Sequence, residues 1–142
     1  MPRYRFVRPE TRTLPLSEDD WLVVRVRLTA GEKYRMFRAM YPVDDEGRAH
    51  VDSEQVIFAP LWTYLVDWSF TELPIRGAAL DVVQAAVAAL DEDEIEEVRT
   101  AMTAHRAAVA AERAAEKKTP TGATTSAPRS PSLVAVGGRT ET

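Results

Sequence analysis

Trp21-Leu22-Val23-Val24-Arg25-Val26-Arg27-Leu28-Thr29-Ala30-Gly31-Glu32 holds a strand and a helix start back to back. Side chains alternate across a strand, so Leu22, Val24, Val26 and Leu28 share one face. Trp21, Val23, Arg25 and Arg27 share the other. The first face is core; the second is partly wet. Thr29 and Glu32 then have capping-box spacing: the Thr29 hydroxyl can accept from an amide of the first turn, while Glu32 reaches back to the Thr29 amide. A strand therefore hands over directly to a helix.

A lone strand leaves its backbone groups unpaired and needs a neighbour. Tyr4-Arg5-Phe6-Val7 alternates weakly and is the predicted partner, returning through the proline-marked stretch from Arg8 to Asp20. On the other side the helix runs from Lys33 to Met40, with Met36, Phe37 and Met40 predicted on one apolar face. Pro42 and Asp44-Asp45-Glu46-Gly47 close it in a surface turn.

Ser53 to Trp68 is the most apolar segment of the chain and reads as one helix, apolar nearly all round. Pro60 predicts either a start or a kink there. Leu73-Pro74-Ile75-Arg76-Gly77 is a connector. Ala78 to Leu90 is a further helix, with Leu80, Val83, Val87 and Leu90 at helical spacing. Asp91 opens the last helix as its N-cap, and acids in the first turn suit the positive end of the helix dipole. Its stripe is Ile95, Val98, Met102, His105 and Val109, and Lys117-Lys118 suit its C-terminal end.

From Thr119 the composition turns to Pro, Gly, Thr, Ser and Ala. Such a segment cannot bury enough surface to offset its ordering entropy, which predicts a disordered low-complexity tail over 119–142. The remaining residues, 1–118, are predicted to form one small α+β body, mainly α. Its parts are a short N-terminal antiparallel β-hairpin, about four helices packed on it, and a long last helix.

The 142 residues suffice for one core of modest size, 45% of them hydrophobic. A net charge of −4 argues against nucleic-acid binding as the main activity. The arm Arg3, Arg5, Arg8 and Arg12 has aromatic residues interleaved, yet reads more simply as a charged edge that deters pairing with other chains. Without cysteine there are no thiol nucleophiles, disulfides or thiolate metal sites. No apolar run reaches the roughly 20 residues of a membrane span, and the N-terminus has no secretion signal, so a cytosolic, membrane-free protein is expected.

A search for chemistry finds none. His50 and His105 lack ligand-set spacing. The run from Asp91 to Glu97 lacks the glycine and spacing of a calcium loop. Gly31, Gly47, Gly77 and Gly122 are isolated, so no phosphate-cradling loop is expected, and no serine sits in a nucleophile elbow. The expectation is a non-enzyme with no cofactor and no metal, working by binding other proteins. Candidate partner-contact residues are Trp62, Tyr64 and Trp68 of the apolar segment, and Met102, His105 and Val109 of the last stripe. Trp and Tyr are favoured interface anchors, although all three in the first set also suit a core.

Three features together resemble a known family. Asp20-Trp21-Leu22-Val23-Val24 runs into Leu28-Thr29-Ala30-Gly31-Glu32. An apolar segment ends in Val66-Asp67-Trp68 before the connector Leu73-Pro74-Ile75. A last helix opens at Asp91-Glu92-Asp93-Glu94-Ile95 ahead of a low-complexity tail. Over about residues 18 to 118 the order is similar to that of tail assembly chaperones of long non-contractile-tailed bacteriophages. Ser69-Phe70-Thr71-Glu72 departs from it, where an acidic-glycine turn belongs. Membership implies binding to the tape measure protein and tail tube protein during tail morphogenesis, with self-association possible. It implies a place in the host bacterial cytoplasm and absence from the mature virion. The alternative is a structural minor tail or head-tail connector protein, which would be found in the particle.

Overall fold

The computed structural model describes residues 5–122, with side chains as far as Lys117. The fold is α+β and mainly α: a three-stranded antiparallel sheet whose third strand follows the second helix, with two further helices after it among the described residues. By contacts the chain divides into two compact units, Met1–Arg106 and Ala107–Thr142. The compositional boundary after Lys118 falls inside the second.

Strand β2, Trp21–Arg25, is central, with β1 (Thr11–Pro15) on one side and β3 (Leu65–Trp68) on the other. Its alternation is as read, Leu22 and Val24 buried and Trp21, Val23 and Arg25 half-buried, but the strand ends at Arg25 rather than Leu28, and the buried Val26 lies in the bend that follows. Fully burying side chains like Leu22 and Val24 is worth roughly 1.5–3 kcal/mol each. The hairpin partner differs from the predicted Tyr4–Val7, of which Tyr4 lies outside the described residues. It is Thr11–Pro15, in register from Thr11↔Arg25 to Pro15↔Trp21. The nearer segment closes a shorter loop, and Pro15 suits an edge strand, where no donor is missed.

The helix read from Ser53 to Trp68 is also corrected. Helix α2 spans Ser53–Tyr64 and passes straight into β3, whose pairs are Leu22↔Trp68, Val23↔Asp67 and Val24↔Leu65. A register shift between Val23 and Val24 leaves Val66 as the extra residue opposite them. An apolar run has no period that separates a buried helix from a buried strand. The helix begins at Ser53, where Asp52 accepts from the Glu54 and Gln55 amides, and it carries Pro60 inside.

Helix α1, Ala30–Met40, opens on the predicted box. The Thr29 hydroxyl accepts from the Glu32 amide at 3.1 Å, and the Glu32 carboxylate accepts from the Thr29 amide at 2.8 Å. Met36 is buried and Met40 half-buried, but Phe37 is not with them. It points outward beside Tyr41, its ring 6.4 Å away. The loop after α1 is a turn at Asp44, whose carboxylate accepts from the Glu46 and Arg48 amides. Gly47 takes a φ of +82° there, which glycine adopts without strain.

Helix α3, Leu80–Ala88, buries Val83, Ala86 and Val87, while Leu80 stays exposed. Ahead of it Ile75 plugs the core from the connector. Helix α4 runs from Glu92 to Gly122, past the predicted end at Lys117-Lys118. Val98, Met102 and His105 are its buried stripe in the first unit. In the second unit the described part is the helical stretch 107–122. The rest of the predicted tail, residues 123–142, lies outside the described residues. Among the described residues no helix is long and apolar enough to cross a membrane.

Candidate functional site

The six residues singled out in the sequence are not brought together on one surface. Trp62, Trp68, Met102 and His105 are buried, and Tyr64 and Val109 are half-buried. Trp68 is a core residue whose indole N–H donates to the Leu73 carbonyl at 2.8 Å. Met102 is among the largest fully buried side chains. His105 donates through Nε2 to the Arg25 carbonyl at 2.8 Å, with the Tyr64 ring edge-on to it and the Arg106 guanidinium 5.3 Å over that ring. These groups already have partners, so a contact face built from them would require the body to open. Val109 belongs to the second unit.

Trp62 is the exception in kind, because it floors an open trough. One cleft of about 450 Å³ lies across α1, α2 and α3, with Ala39, Phe58, Trp62 and Ala88 as its apolar lining. A second, of about 290 Å³, continues along the α2–β3 junction past Ile75 and Val83. The two share Arg35 and Trp62, so Arg35 stands where they meet. The indole N–H of Trp62 donates to the Gln55 side chain at 3.3 Å, which fixes the ring plane.

The charges around the trough differ in how they are held. Arg25 reaches in from β2 and is spoken for. Its Nη1 donates to the Thr63 and Leu65 carbonyls at 2.7 and 3.3 Å, and its Nε lies 3.3 Å from the Glu32 carboxylate. Arg35, one turn of α1 further on, has no hydrogen bond or ion pair among the described residues. A guanidinium with five donors and no acceptor, beside an apolar floor, is suited to a carboxylate carried on an apolar ligand. Clefts of roughly 300–1,000 Å³ with few placed polar groups are usual for ligands; this one is an open groove, so it fits the side chains of a docked segment better than a small molecule.

Arg35 and Phe58 were not among the sequence candidates. An arginine on an exposed helix face reads as solvation, and only the tertiary neighbours show that it lacks a partner. Alanines at 39 and 88 gave no signal either, although their small size is what keeps the cleft open.

Compared with known protein families, with curated proteins and with solved structures, the chain matches none.

Proposed function

We propose that the protein is a binding protein that holds an apolar helical segment of an unassembled partner in the trough across α1, α2 and α3, and that it does so as a tail assembly chaperone of a long-tailed bacteriophage. The observation that carries the binding reading is the unpaired Arg35 above the Phe58 and Trp62 floor. The phage assignment rests on the sequence resemblance, and the partner it brings is the tape measure protein, with tail tube subunits recruited later. A long helical protein with apolar faces aggregates when left exposed. A binder of its unassembled form lowers the free population by mass action and needs no catalytic group. A net charge of −4 favours solubility of the complex.

The test is co-expression with the tape measure protein of the same gene cluster, reading how much stays soluble and co-elutes. Two variants probe the trough without touching the core. Arg35→Glu reverses the free charge, and Ala88→Arg fills the cleft from an exposed helix position. Each is expected to weaken capture by about tenfold or more, the loss of one charge-assisted contact. A tape measure protein that is equally insoluble with and without this chain overturns the chaperone reading. Capture that both variants leave intact overturns the trough as its site.

A further inference from the structure

Two faces of the body outside the trough carry opposite, unpaired charge. The first is the outer side of α1. Tyr34, Phe37 and Tyr41 follow at helical spacing on the side away from Met36, and they are 65%, 44% and 43% exposed. Lys33 lies over the Phe37 ring at 6.0 Å and Arg38 over the Tyr34 ring at 5.8 Å. Neither cation has a carboxylate partner among the described residues. An outward row of three aromatic rings, sheathed in cations, has no role in the fold of a monomer, and apolar patches of this kind mark interaction surfaces.

The second face is a pocket of about 290 Å³ where α4 starts. Trp68, Phe70, Leu73 and Leu90 floor it, and Asp20, Glu72, Asp91 and Glu94 rim it. The Trp68 and Phe70 rings sit 5.1 Å apart. No lysine or arginine pairs with the four rim carboxylates among the described residues. Partial burial and the like charges of Glu97, Asp20, Glu18 and Asp91 raise the pKa of Glu94. An apolar floor under an acidic rim suits one type of side chain: a methylene stem with a cation at its tip.

We propose that these faces dock on each other between copies of this chain, the Lys33–Arg38 face of α1 on one copy entering the Asp20–Glu94 pocket of the next. Each copy offers both faces, so the contact is heterologous and head-to-tail, and the assembly grows until it closes or runs on as a chain. The cations of α1 meet the rim, the aromatic row meets the exposed Leu73 edge, and both sets of unpaired charge are neutralised in one contact. The interface uses neither Arg35 nor Ala88, so it stands independently of the trough.

The experiment is sedimentation velocity of the full chain over a wide concentration range, at low and at high salt. Mass is expected to rise with concentration and to fall back with salt, since exposed charges are screened beyond a Debye length. Arg38→Glu and Glu94→Lys each break one face, and each alone is expected to weaken association by about tenfold or more. Mixed in equal amounts, they pair through one intact face apiece, and the two reversed charges are complementary to each other, so association should recover toward that of the parent chain. Circular dichroism of each variant separates loss of association from loss of fold. A chain that stays monomeric at every concentration overturns the proposal. So does association that both variants leave unchanged, or a mixture that forms no pair.

Discussion

His105 of α4 donates through Nε2 to the main-chain carbonyl of Arg25 at the end of β2, across 80 residues of sequence. A carbonyl only accepts, so the hydrogen is on Nε2. The ring is buried, which makes the bond the tie between the last helix and the central strand. Replacing it by a side chain of similar bulk and no donor orphans a carbonyl away from water. His105→Leu is therefore expected to cost about 1–3 kcal/mol, and His105→Gln, which keeps a donor, less. Urea unfolding with an unchanged slope checks this; a fully stable His105→Leu would show the bond to be dispensable.

The side chain of the same Arg25 does a second job. Its guanidinium satisfies the Thr63 carbonyl in the last turn of α2 and the Leu65 carbonyl just after it, while pairing with the Glu32 that closes the box of α1. One residue thus joins β2, α1 and the α2–β3 junction. Lysine offers a single ammonium where a planar fork is used, so Arg25→Lys should recover little of what Arg25→Ala loses, about 1–3 kcal/mol. The midpoint of chemical unfolding for the two variants decides it: equal stability of Arg25→Lys and the parent chain would mean that the fork geometry is unimportant.

How far the sequence could be read follows from whether a signal is local. The capping box of Thr29 and Glu32 and the alternation of β2 involve residues a few positions apart, and both are found as read. The strand Leu65–Trp68 was hidden because its four residues continue an apolar helix without a break, and only pairing with β2 makes them a strand. Phe37 was misplaced for a related reason. Apolar spacing assigns it to the Met36 face, whereas α1 carries a second apolar row outside, facing no part of its own fold. Trp68 and Met102 were singled out for bulk and position, and bulk is also what fills a core. Arg35 was illegible in principle, since a missing partner has no sequence pattern.

The hairpin turn between β1 and β2 is held from α4. The Glu97 carboxylate accepts from the Ser17 amide at 2.6 Å and from the Ser17 hydroxyl at 2.9 Å. Next to it, Glu18 and Asp19 sit at φ values of 56° and 62°, a left-handed conformation that costs a non-glycine residue roughly 1–2 kcal/mol. The clasp offsets that strain. Glu97→Ala should lower stability by about 1–2 kcal/mol, the discount reflecting exposure of the pair. Hydrogen exchange of the Ser17 amide should quicken well before the core amides do. Unchanged protection at Ser17 would mean that the turn holds itself.

Glu94 provides a test of the acidic field at the start of α4. Its carboxyl is raised from the ordinary value of 4.5, first by partial burial and then by Glu97, Asp20, Glu18 and Asp91. The fold thus holds this proton more tightly than the unfolded chain does. The stability that Glu94 contributes is fully present below about pH 4.5 and is lost as pH rises through the raised value. Glu94→Gln removes the charge that suffers this repulsion, so it should be more stable than the parent at pH 7. The gain should vanish as the pH falls below the carboxylate range. The helix dipole acts the other way, since a carboxylate in the first turn of α4 is favoured by it. Thermal unfolding at both pH values, at dilutions where the chain is monomeric, weighs the two effects. A Glu94→Gln chain that is less stable at pH 7 would show that the dipole wins and that the crowd of acids around the pocket repels too weakly to matter.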